Sequence, residues 1–70
     1  MNDVIKRRIK ELTEIATCIK VEAKCLLEDI EEIETDENLA IVENKFELIK
    51  AYAQQGYDKV MVTYDEFEEG

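Results

Sequence analysis

The stretch DVIKRRIKELTEIATCIKVEAKCLLEDIEEI, residues 3–33, decides how this chain folds. Its apolar residues Ile5, Ile9, Leu12, Ala16, Ile19, Ala23, Leu26, Ile30 and Ile33 recur at alternating spacings of four and three without interruption. A step of four plus a step of three is close to two helical turns, so all of them return to one stripe of a helix. Ile9, Ala16, Ala23 and Ile30 hold one seam position of a heptad; Ile5, Leu12, Ile19, Leu26 and Ile33 hold the other. Val4, Ile15, Cys18 and Cys25 widen the stripe, which favours a bundle over a two-stranded coil. A long helix over residues 3–33 is predicted.

Continuing the seam would put Glu37 and Asn44 at apolar positions, so the helix breaks near Glu34-Thr35-Asp36-Glu37-Asn38. Thr35 or Asp36 is suited to cap a second helix over residues 37–55 with its own seam of Leu39, Val42, Phe46, Ile49 and Ala53. Gly56 fits the left-handed position that ends such a helix. An antiparallel hairpin is the preferred arrangement, and one continuous bent helix is the alternative. Residues 58–64 are enriched in β-branched and aromatic types and read as a short strand, followed by an acidic tail over 65–70. The expectation is a mainly α, single small domain spanning 1–70, completed by dimerisation.

The dimer follows from lengths. At about 1.5 Å per residue the shorter helix cannot cover the first third of the longer one. Ile5, Ile9 and Leu12 are then left to pair with Val60, Val62 and Tyr64 across an interface between two copies. Charge agrees, because the first helix starts with Lys6, Arg7, Arg8 and Lys10 and ends with Glu28, Asp29, Glu31, Glu32 and Glu34, opposite to what its macrodipole prefers. Antiparallel pairing of two copies would offset this, as would the N-terminus of the second helix within one chain.

At 70 residues the chain is near the lower limit for a self-sufficient core and too short for a second domain. It carries 9 basic and 18 acidic residues, no His and no Pro. Its longest uncharged apolar run, Leu39 to Val42, is far below a membrane span, and no secretory signal is visible, so a cytoplasmic location is expected. Cys18 and Cys25 lie two helical turns apart, too far for an intrachain disulfide, and read as reduced thiols. No phosphate-binding Gly loop, Cys-x-x-Cys pair, His-Glu-x-x-His helix or EF-hand loop occurs. Carboxylate pairs such as Glu11 with Glu14 lack the His that di-metal bundles recruit. The chain therefore reads as a non-enzyme with no cofactor and no metal site. Its short basic start is too weak against a net charge of −9 for direct nucleic-acid binding.

Residues 1–27 hold six basic and four acidic side chains, and residues 28–70 hold three and fourteen, so the charge divides as +2 and −11. Glu28, Asp29, Glu31, Glu32, Glu34, Asp36 and Glu37 concentrate the negative side and are the candidate binding surface for a basic partner. The expected function is that of a non-enzymatic protein-protein interaction module, a small acidic inhibitor or regulator that binds a basic partner, one form of which would mimic nucleic acid to block a nucleic-acid-binding protein. Small acidic inhibitors carried by phages and plasmids share this size and charge, a likeness of composition that transfers no residue. The alternative is a dimeric adaptor, antitoxin-like or scaffolding, whose carboxylates serve only solubility.

Overall fold

The computed structural model describes residues 3–69 as two helices, α1 (Asp3–Glu31) and α2 (Asp36–Glu69), folded into one hairpin about 53 Å long in its Cα trace. The break falls where the seam loses phase. α1 tightens as it ends, with the amides of Glu32 and Ile33 donating to the carbonyls of Asp29 and Ile30, three residues back. Thr35 then caps α2. Its Oγ1 accepts from the amide of Asn38 at 3.3 Å, and Asn38 Oδ1 accepts in return from the amides of Thr35 (3.2 Å) and Glu34 (3.1 Å). This is a reciprocal capping box with Asn in the place usually taken by Glu. Asp36 and Glu37 occupy the first turn of α2, where its macrodipole favours negative charge.

α2 does not end at Gly56. It runs on through residues 57–69, so there is no strand over 58–64 among the described residues, and the acidic tail is the last turns of a helix, with Gly70 outside the described part. The reason is hydrogen-bond satisfaction: a lone strand leaves its backbone groups unpaired, whereas a helix pairs them internally. The spacing also carries through, since Asn38, Val42, Lys45, Ile49, Tyr52, Gly56, Lys59, Thr63 and Glu66 recur at four and three and are all buried or half-buried. Polar residues at five of these places conceal the stripe. Gly56 takes no positive φ and faces Ile15. A Cβ placed there would meet Ile15 Cγ2 at 3.6 Å, an ordinary contact. Gly56→Ala should therefore stabilise the fold by about 0.5–1 kcal/mol, read as a raised denaturation midpoint at unchanged m-value.

The longer α2 covers the start of α1, so the uncovered first third expected for α1 does not exist. Ile5 is buried, Leu12 is half-buried, and Glu66 and Lys59 of α2 reach Arg8 and Glu11 of α1. The core follows one line on each helix: Ile5, Leu12, Ile19 and Leu26 of α1, continued by Ile33 in the loop, against Val42, Ile49, Gly56 and Thr63 of α2. Thr63 is buried with its hydroxyl donating to the Lys59 carbonyl at 2.7 Å.

The second seam line of each helix departs from expectation. On α1, Ile9, Ala16 and Ile30 are exposed and Ala23 half-buried, while Arg8, Ile15, Glu22 and Asp29 flank the core instead. On α2, Leu39, Phe46 and Ala53 are exposed, while Asn38, Lys45 and Tyr52 take the flank. Ion pairs line the flank that is turned inward. Arg8 Nε donates to Glu66 at 2.8 Å, Lys45 Nζ donates to Glu22 at 2.9 Å, and Lys59 pairs with Glu11. Each helix turns its charged flank toward the other, where opposite charges meet beside a short apolar core.

Candidate functional site

Three surfaces result from this packing. The first is the turn end. Glu28, Asp29, Glu31, Glu32, Glu34, Asp36 and Glu37 come from the last turn of α1, the loop and the first turn of α2, so the fold gathers all seven at one end of the hairpin. Six are exposed and Asp29 is half-buried. Among the described residues, none of the seven takes part in an ion pair; the pairs use Glu11, Glu22 and Glu66. Asp29 adds only to the field that, after the hydrogen bond to Glu22, raises the pKa of Lys45. The capping box fixes the backbone beneath this charge.

The second surface is an open groove between the helices near the other end, about 570 Å³, lined in part by Glu14, Ile15, Cys18, Tyr52 and Val62. Three of the charges that line it, Arg8, Glu11 and Lys59, are mutually engaged. Glu11 accepts from Lys59 and from Arg8 Nη1, the latter at 3.0 Å, and the hydrogen bond from Lys59 holds its carboxyl below the ordinary range. This groove is a consequence of the salt-bridged flank; no sequence signal singled it out. Cys18 is exposed and Cys25 half-buried, both as free thiols. Among the described residues no group of three or more His, Cys, Asp or Glu is arranged to hold a metal ion, and no helix is long and apolar enough to cross a membrane.

The third surface lies opposite the groove. In an antiparallel pair the charged flanks of both helices share one side, so the flanks on the far side of each core line must share the other. On α1 that flank is Ile9, Ala16, Ala23 and Ile30; on α2 it is Leu39, Phe46, Ala53, Val60 and Phe67. All nine are apolar. Phe46 is 54% and Phe67 59% exposed.

The six residues expected at a dimer interface are dispersed by the fold. Ile5 and Leu12 turn into the hairpin's own core, Ile9 and Val60 belong to the apolar side, Val62 lines the groove, and Tyr64 is exposed at the border of the apolar side. Comparison of the chain with protein-family models, with curated proteins and with solved structures finds no match.

Proposed function

We propose that this protein is a non-enzymatic interaction module that binds a basic protein partner through its turn end, acting as an inhibitor or regulator by occupying a site that otherwise receives nucleic acid. One observation carries the reading: seven carboxylates converge on a capped turn, six of them exposed and none in an ion pair among the described residues. Such a surface repels nucleic acid and is drawn to basic clefts. The free thiols suit a reducing, cytoplasmic setting. The alternative role, a dimeric adaptor with a merely solvated acidic surface, is favoured by the apolar side of the hairpin.

The test is charge reversal. Glu31→Lys, Glu32→Lys and Glu34→Lys together should abolish capture of the partner from a host extract, while Asp65→Lys, Glu47→Lys and Glu68→Lys should retain it. Both triples change net charge equally and replace exposed side chains. Binding should weaken steeply with salt, since exposed charges are screened beyond about 8 Å at physiological ionic strength. Duplex DNA or RNA should compete with the protein for the captured target. If no protein is lost selectively with the turn-end triple, or if target, nucleic acid and this protein form a stable ternary complex, the reading is wrong.

A further inference from the structure

We infer that the apolar side of the hairpin is the contact surface for a second copy of the chain, packed against it in the antiparallel sense to form a four-helix bundle. The apolar side carries the inference and the turn-end charge only selects its direction, so the contact stands whether or not that end also binds a basic partner.

The first argument is area. Folded chains of 8.2 kDa expose about 4,500 Å² by the usual scaling with mass. This hairpin exposes 5590 Å², an excess of about 1,100 Å², whereas a standard interface takes about 800 Å² from each partner. Two layers of helix lack the depth to hide both flanks of each core line, and the flank left outside is the uncharged one.

The second argument is self-complementarity. A two-fold interface brings each surface onto a copy of itself, so its pattern must match when reversed. Along α1 the flank reads Ile9, Ala16, Ala23, Ile30, large at both ends and small in the middle. Along α2 Leu39 and Phe67 close a line centred on Ala53. The two centres lie within about one helical turn of each other. Arg8 beside Glu66, Ile15 beside Gly56 and Glu22 beside Lys45 place the Ala16–Ala23 stretch across from the part of α2 that contains Ala53. One two-fold axis through that level sets Ile9 opposite Ile30 of the second copy, Leu39 opposite Phe67, Phe46 opposite Val60, and Ala53 opposite itself.

The third argument is charge, which selects the direction. Aligned side by side in the same sense, two copies would bring both carboxylate-rich turn ends together. Reversed, each turn end lies along the other copy's Lys6, Arg7 and Lys10, and the two turn ends stand a hairpin length apart.

Sedimentation of the full chain at tens of micromolar should give twice 8.2 kDa, and Phe46→Asp should raise the dissociation constant by about a hundredfold or more, because it buries a charge among apolar groups. The direction is read by cross-linking in a Cys18→Ser/Cys25→Ser background. Under mild oxidation Ala53→Cys should give a covalent dimer, its thiols meeting across the axis, and Ala51→Cys, on the outward side of α2, should not. A wild-type chain that is monomeric and fully helical at these concentrations overturns the inference, as it would if the face served a different protein. So does a dimer in which Ala53→Cys links no faster than Ala51→Cys, since the copies would then meet elsewhere or in the other sense.

Discussion

A chain carrying Val62→Pro is expected to lose about 3 kcal/mol or more of folding free energy, enough to remove most of the stability of a fold this small. Val62 is 46% exposed and lies in the interior of α2. Proline there removes the hydrogen bond from its amide to the carbonyl four residues back and drives its ring against that turn. The side chain lost is a minor part of the effect, so Val62→Ala serves as the control and should be neutral or slightly stabilising through helix propensity. Chemical denaturation followed by circular dichroism separates the two. Were residues 58–64 an edge strand, proline at an outward-facing position would be tolerated, and near-wild-type stability of Val62→Pro would refute the long α2.

Leu26→Ala should cost about 2–5 kcal/mol through lost burial and the cavity left behind. Leu26 is 7% exposed on the core line of α1, toward the turn end of that helix, near the level of Val42 on α2. Few other residues share its work, since Ile5 and Val42 are the other apolar side chains among the described residues that are buried to this degree. Val21, on the outer side of the same helix and 54% exposed, provides the comparison. Val21→Ala should change stability by no more than about 0.5 kcal/mol. Equal midpoint shifts for the two substitutions would place the core elsewhere.

The hairpin itself was legible in the chain because its signals are local and redundant. The uninterrupted four-three spacing from Ile5 to Ile33 marks a helix whatever packs on it, and the loss of phase beside Thr35 marks its end. Which flank of the stripe faces the neighbour was not legible. Apolar spacing assigns Ile9 and Phe46 to the seam, yet the flank turned inward within one chain is the one where Arg8 meets Glu66 and Glu22 meets Lys45, pairings between residues 58 and 23 positions apart. Val60, Val62 and Tyr64 carry strand propensity, but propensity without a pairing strand is outweighed by the helix's internal hydrogen bonds. Gly56 misled in the same way: it resembles a stop signal, yet it takes no positive φ and sits inside α2 facing Ile15. The seven turn carboxylates were visible as a run; their crowding from two helices onto one end follows from the turn.

The position of that turn also orders the events by which the chain assembles. Closing the Glu22–Lys45 pair brings together residues 23 apart, while closing Arg8–Glu66 spans 58, and the longer loop costs about 0.8 kcal/mol more in chain entropy. Loop entropy therefore favours closing first the contacts nearest the turn, where the chain is also crowded with like charge. The Thr35–Asn38 box, which satisfies three backbone amides there, is what offsets that repulsion at the earliest step. At the far end the pairs Arg8–Glu66 and Glu11–Lys59 close the longest loops and so carry the largest entropic cost. The same order read backwards makes the open end the place where the native hairpin first comes apart.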